Sequence, residues 1–335
     1  MRHRLLVSIG APAIATAVAI IVAGAQIAAQ TALKTNTTAA KKYTPPRTVD
    51  GQPDLQAIWN FAVLTPLQRP SELAGKEFFS DEDRRDNPET GTTNGNQVTA
   101  DVARAYNQFW WDYGTKIVGT KRTSLIIDPP EGRIPAMTPD GKRRLTALAS
   151  RREAAANGPE DRSPSERCIL NGKAGPPIEP AGYNNNIQIV QASGYVAIMN
   201  EQIHDIRLIP LDGRPHVGGN IRQWMGDSRG KWDGDTLVVD TTNFNGEVAF
   251  QGSGENLHLI ERFTRTGVNT LLYEFTVEDP ASFTKSWTAQ LPMTKTQGPI
   301  YEYACHEGNY GMFGILNSAR ATERTASEAA KKGSR

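Results

Sequence analysis

Four of the chain's five histidines, His204, His216, His258 and His306, lie in its C-terminal half, within a stretch that otherwise alternates like β-sheet. Imidazole is the side chain that titrates near neutral pH, so its placement is the first pointer to proton-transfer chemistry. Three of the four have a polar residue close by in sequence. His204 precedes Asp205, His258 stands three residues before Glu261, and His306-Glu307 lies within Cys305-His306-Glu307-Gly308-Asn309-Tyr310-Gly311. General acid–base catalysis needs only positioned proton donors and acceptors. His204, His258 and His306, with the carboxylates Asp205 and Glu307 and the phenol Tyr183, therefore form the candidate catalytic set. Candidate substrate contacts are Asn185 and Asn186 in the Tyr183-Asn184-Asn185-Asn186 run, Asp227 and Arg229 between Gly226 and Gly230, and Asn309 with Tyr310. The asparagine run also fits simple turn chemistry. The Gly226–Gly230 segment reads equally as a loop over a pocket mouth or as a plain loop.

Other chemistries find less support. Histidines on neighbouring strands could converge on a divalent metal, but neither H-x-H nor H-E-x-x-H spacing occurs, so no metal is assigned. Gly213 and Gly218-Gly219 do not make a G-x-G-x-x-G turn, and neither a P-loop nor a G-x-S-x-G elbow is present. No cofactor is expected. With 37 basic and 36 acidic residues the chain carries no global field for a polyanion, so a small molecule is the expected partner and nucleic acid is not.

The elements that must position these groups are mostly strands. Short β segments are expected at 187–191, 195–200 and 205–209, with a hairpin turn at Ser193-Gly194, and a second hairpin at Trp232-Asp233-Gly234-Asp235 leads into 236–242. Strands at 257–265 and 270–278 pair across Thr266-Gly267-Val268-Asn269, and 283–291 and 300–304 complete nine or ten. The fold class is mainly β: an antiparallel barrel or sandwich, with a lipocalin-like arrangement among the barrels, plus an irregular, partly helical N-terminal part. Alternation puts Glu261 with Leu259 and Phe263 on an apolar face, where a carboxylate is costly unless paired; Arg207, Arg222 and Arg229 are its candidate partners. The same alternation groups Leu271, Tyr273, Phe275 and Val277, and places His306 and Cys305 on opposite faces of the last strand.

Five regions are expected along the chain. Residues 1–29 read as a signal peptide, with Arg2 and Arg4 before an apolar run to Val22 and small residues at 23–25 and 27–29; an uncleaved anchor is the alternative. No cysteine follows the run, so no lipid anchor is expected, and no stable membrane insertion survives cleavage. A linker, 30–52, leads into a helical and irregular capping region, 53–182. That region holds a short strand at 125–127, a helix N-capped by Thr99 that runs to Tyr113 with Trp110 and Trp111 on its stripe, and a basic helix opened by Thr138-Pro139. Then come the β domain, 183–317, and a polar, flexible tail, 318–335. Export into an oxidising periplasmic or extracellular compartment would let Cys168 and Cys305 pair, closing a loop of roughly 137 residues for ~4–5 kcal/mol in the chain-entropy model. A free structural cysteine, or a Cys305 nucleophile activated by His306, are the alternatives.

Several segments together resemble a family of secreted bacterial proteins of unknown function. They are Asn185-Asn186, the ten residues from His204 to Gly213, Gly226-Asp227-Ser228-Arg229-Gly230 and Cys305-His306-Glu307-Gly308-Asn309-Tyr310-Gly311, with Pro53-Asp54-Leu55-Gln56 and Arg69-Pro70 upstream. The likeness covers most of the mature chain and implies a grouping without a mechanism. The residues themselves point to an exported enzyme of lyase or hydrolase type, acting by acid–base catalysis on a small or oligomeric organic substrate. The alternative is a non-catalytic periplasmic binding barrel whose cavity Trp224, Trp232, Tyr273, Phe275 and Trp287 would line.

Overall fold

The computed structural model describes residues 43–80, 112, 114, 116–170, 173, 175–247 and 250–333. The expected signal peptide, most of the expected linker and nearly all of the helix expected over 99–113 lie outside the described residues. Residues Tyr43–Arg335 form one compact unit. Its strands are β1 (Ala57–Asn60), β2 (Ile126–Asp128), β3 (Asn186–Ala192), β4 (Tyr195–Asn200), β5 (Ile206–Pro210), β6 (Asp227–Asp233), β7 (Thr236–Thr242), β8 (His258–Gly267), β9 (Thr270–Glu278) and β10 (Trp287–Thr296). Among the described residues two helices accompany them, α1 (Pro139–Glu153) and α2 (Tyr310–Gly333).

All ten strands join one antiparallel sheet in the order β5-β4-β3-β1-β10-β9-β8-β7-β6, with β2 also pairing with β10. Hydrogen bonds do not close it, so the architecture is sandwich-like. Side chains bring the two edges together: a Cβ on Gly230 of β6 would stand 2.8 Å from Ile209 Cγ2 of β5 and 2.6 Å from Leu211 Cδ2. Only glycine fits at that approach. Alternation along β8 and β9 buries Leu259, Glu261, Phe263, Leu271, Tyr273, Phe275 and Val277, as their period-2 pattern requires.

The interior is filled with aromatic rings. Phe275 and Phe283 meet Trp287 edge-on, with centroids 5.7 and 6.3 Å away, and Phe263 packs 4.8 Å from Tyr273. Each such pair adds about 0.5–1.5 kcal/mol beyond area burial. Tyr273, Phe275 and Trp287 are fully buried members of this core. Trp224 lies outside the core under the Arg167 guanidinium, and Trp232 is only partly buried.

Four sequence expectations need correction. The 53–182 region is more than a cap: β1 inserts between β3 and β10 at the centre of the sheet, where Trp59 is fully buried. Four residues are too few to show a period, so this strand was invisible in the sequence. Gly226–Gly230 is no loop, since β6 starts at Asp227 and pairs with β7 through Asp227↔Thr242. Residues 300–304 form no strand, so the opposed faces assigned to Cys305 and His306 do not exist. The tail is helical to Gly333, because Ala319 is buried and Arg320 donates to the carbonyls of Ala156 and Asn157 at 2.7 and 2.9 Å. The basic helix α1 begins as its sequence indicates, with Thr138 Oγ1 accepting from Gly141 N at 3.0 Å. Gly141 lies against the turn before β10, where a Cβ would meet Ser282 O at 2.7 Å.

Candidate functional site

The candidate residues fall into two separate clusters. The first gathers at the ends of β1, β3 and β4. Asn60 Nδ2 donates to Asn186 Oδ1 at 3.0 Å, and Asn186 Nδ2 donates to Glu201 Oε2 at 2.7 Å. Glu201, 2% exposed, accepts from Tyr301 N through its other oxygen at 3.2 Å. After Glu201 the chain turns through two left-handed residues, Ile203 (φ 63°) and His204 (φ 51°). For a β-branched residue this conformation costs on the order of 1–3 kcal/mol, and such strain collects at functional sites.

That turn presents His204 to solvent with its Nδ1 3.1 Å from the carbonyl oxygen of Tyr303. A carbonyl can only accept, so Nδ1 carries a proton, and in the neutral ring the lone pair is on Nε2. The hydroxyls of Tyr303 and Tyr183 are 3.4 Å apart and their rings stack at 6.4 Å. Burial, and next the hydrogen bond with Tyr183, push the Tyr303 phenol up, so it stays protonated. Beside His204, Asp205 is partly buried; burial pushes its carboxyl up to about 6 against the opposing pull of His204. Among the described residues, Asp205 Oδ2, Asn200 Oδ1 and Gln202 Oε1 have no hydrogen-bond partner. Buried acceptors left open in one short segment call for an explanation, and a donor-rich ligand is one.

The second cluster is on the outer face of β6–β9. His216, from the loop between β5 and β6, places Nδ1 3.0 Å from Asp227 Oδ2 and Nε2 3.0 Å from Asp240 Oδ1. Asp240 also faces His258 Nε2 at 3.1 Å, and His258 Nδ1 lies 2.8 Å from Glu278 Oε2. The hydrogen bond that its ring donates to Asp240 holds the His258 imidazole above its ordinary value, against its partial burial. Hydrogen bonding to His258 likewise holds Asp240 below the usual carboxylate range. Both nitrogens of each ring are occupied. Asp227 further accepts from Val217 N at 3.0 Å and Arg229 Nη1 at 2.6 Å, while Arg229 Nε donates to Pro215 O at 3.0 Å. Asp227 and Arg229 thus fasten the His216 loop to the sheet.

The remaining candidates are placed apart from either cluster. Asn185 is fully buried, with its amide closing the turn through Ala181 N at 2.7 Å and Asp112 O at 2.6 Å. Asn309 is the N-cap of α2, accepting from Met312 N at 3.3 Å and donating to Glu166 O at 2.9 Å. Tyr310 opens that helix, 81% exposed. His306 and Glu307 are exposed in the turn before it, and no side-chain hydrogen bond or ion pair joins them to the described residues. Cys168 and Cys305 are disulfide-bonded, which excludes a Cys305 nucleophile.

Sequence reasoning missed Tyr303, Glu201 and Asn60 in the first cluster and Asp240 in the second. It noted His216 without a partner, because its carboxylates stand 11 and 24 residues further on. Glu261 was legible: it accepts from both terminal guanidinium nitrogens of Arg207 and from Tyr273 Oη at 2.8 Å. A cleft of about 280 Å³ lined by Arg144, Leu148, Arg151, Glu247 and Ser253 contains none of the candidates. Its Arg144 is committed to Gly252 O and Ser282 Oγ. Among the described residues no group of three or more His, Cys, Asp or Glu side chains could hold a metal ion. No helix among them is long and apolar enough to cross a membrane. The chain matches no protein-family model, and a search of curated proteins finds no relative.

Proposed function

We propose that the protein is an exported enzyme that acts by general acid–base catalysis at the Tyr183–His204–Asp205 cluster. The observation that carries the reading is the state of His204: one ring nitrogen is fixed by Tyr303 O and the other is open to solvent. A general base needs that combination of a set tautomer and a free lone pair. His204 Nε2 removes a proton from the substrate. Asp205, with its carboxyl pushed up to about 6, or the paired phenols of Tyr183 and Tyr303, returns one to the leaving group. That exchange suits a lyase or hydrolase. The buried, unpartnered oxygens of Asn200, Gln202 and Asp205 favour a substrate rich in hydroxyl or N–H donors. The disulfide agrees with export, since such bridges persist in oxidising compartments.

The test is turnover of the mature protein against panels of phenolics, glycosides and polyol esters, after a thermal-shift screen for binding. Substrates should be converted by the native protein and by His258→Gln, while His204→Ala and Asp205→Asn lose turnover. Ligands that bind at this cluster and are never converted would make the protein a binder instead.

A further inference from the structure

The partner that orients His204 belongs to a stretch with no hydrogen-bond ladder of its own. Residues 300–309, between β10 and α2, form neither strand nor helix. Yet Tyr303 supplies both the carbonyl that holds His204 Nδ1 and the hydroxyl that faces Tyr183. The same Tyr303 oxygen accepts from Cys305 N at 2.9 Å, so both of its lone pairs are used, one by His204 and one by the cross-linked residue. Cys305 is bonded to Cys168, whose Cα is 5.7 Å away. Cys168 is a firm anchor: 4% exposed, in a turn closed by Cys168 N to Ser165 O at 3.1 Å and Ile169 N to Pro164 O at 2.8 Å.

We infer that the Cys168–Cys305 disulfide is a positioning device for the site: acting through the Tyr303 carbonyl, it sets the tautomer of His204. The inference rests on the acid–base reading of that cluster. With the bridge intact, Tyr303 is held between Tyr301, whose N–H donates to Glu201 Oε1 at 3.2 Å, and the covalent tie at Cys305. Without it, Tyr303 keeps its side-chain contact with Tyr183, but the next tie of the following backbone is Asn309, which donates to Glu166 O at 2.9 Å. The intervening residues then have no ladder to restore their positions. A 3.1 Å hydrogen bond does not survive a displacement of about 1 Å. Once Nδ1 is released, the neutral ring can move its proton to Nε2, and the lone pair needed by a base is lost. A bridge that only shortened the unfolded chain would stabilise the fold from almost any pair of attachment points. This one is attached two residues from the group that orients His204.

The test compares the native protein with Cys168→Ala/Cys305→Ala, both labelled with ¹⁵N-histidine and read by long-range ¹H–¹⁵N correlation. In the native protein His204 should carry its proton on Nδ1. In the double variant the His204 signals should shift towards the Nε2–H form or a mixture, with the His258 signals unchanged as the internal reference. On any substrate found, kcat should fall tenfold or more while KM changes little. If the double variant does not fold, the folded native protein is reduced by a dithiol and the same spectrum is taken once both thiols are free. A His204 that stays on Nδ1–H in the bridge-free protein overturns the inference, as does an unchanged kcat. The tautomer readout needs no substrate. A failure to find any turnover would therefore strike the acid–base reading and leave the tautomer result to decide the role of the disulfide.

Discussion

The two histidine clusters use the same side chain for opposite ends. At His204 one ring nitrogen is bound and the other is open, beside a carboxyl pushed up to about 6 with an unpartnered oxygen. At His216 and His258 all four ring nitrogens face carboxylates, and Asp240 is shared between the two rings. A ring bound at both nitrogens has no lone pair to offer, so it acts as a clasp between chain segments. A ring bound at one is oriented and still able to react. Counting polar neighbours does not separate these cases, because His258 has more of them than His204. What separates them is unsatisfied capacity.

The clusters are linked through the core by Arg207, two residues after Asp205, and Glu261, three residues after His258. Arg207→Met leaves Glu261 charged and fully buried, which should cost about 3–5 kcal/mol. Urea denaturation would read this as a lower midpoint, and Arg207→Met/Glu261→Leu should recover most of it. If the single variant is nearly neutral, the pair does not hold the two halves of the sheet together.

The next largest effect concerns activity. His204→Ala should lower turnover by roughly 100-fold, with stability lowered by about 1 kcal/mol because alanine loses the bond to Tyr303 O and suits the left-handed backbone less well. His258→Gln and His306→Ala should leave turnover within about twofold. An active His204→Ala protein alongside an inactive His258→Gln protein would reverse the roles of the two clusters.

Asp205 sharpens the contrast through pH. Its carboxyl is raised to about 6, so the pH–rate profile should carry a limb there, and Asp205→Asn should abolish it. A carboxyl raised by burial favours the protonated folded state, so it detracts from stability increasingly as pH rises from its ordinary value of about 3.9, and in full once pH passes the folded value. Asp205→Asn should therefore unfold at a higher temperature than the native protein at pH 7 and at nearly the same temperature at pH 4. A lower melting temperature at pH 7 would show that the carboxylate is satisfied by a partner.

The smallest effect belongs to the clasp. Asp240 holds His258 above its ordinary value, so the stability this ring contributes is complete below about pH 6.5 and is lost as pH rises through the higher folded value. The depressed Asp240 works in the other direction, and its contribution is lost as pH falls through its folded value. The clasp is thus tightest from the ordinary carboxylate range up to about pH 6.5. Solvent screening keeps its worth under ~1 kcal/mol, since His258 is 33% and Asp240 46% exposed. After division by the intrinsic exchange rate, which itself rises with pH, protection in the loop carrying His216 should fall above neutral pH, and His258→Gln should flatten that fall. Protection factors that do not change with pH would leave the clasp without a titrating group.

Alternation by itself determined the mainly β class, the hairpins at Gly194 and Gly234, the buried faces of β8 and β9 and the need of Glu261 for a partner. Each is a local matter of period two or turn chemistry, in which neighbours in sequence are neighbours in space. The two cysteines made a Cys168–Cys305 cross-link the first expectation, with a free thiol and a nucleophile as alternatives, and the structure shows the cross-link. Only the tertiary structure placed β1 at the centre of the sheet, since four residues carry no period and its partners lie more than a hundred residues away. Only it separated the histidines into two clusters. The proton on His204 is set by Tyr303 O, 99 residues further on, and the clasp depends on register across four strands. Which nitrogen of an imidazole stays open depends on what stands about 3 Å from the ring. Sequence spacing cannot supply that distance, because strand pairing, not chain order, brings those groups together.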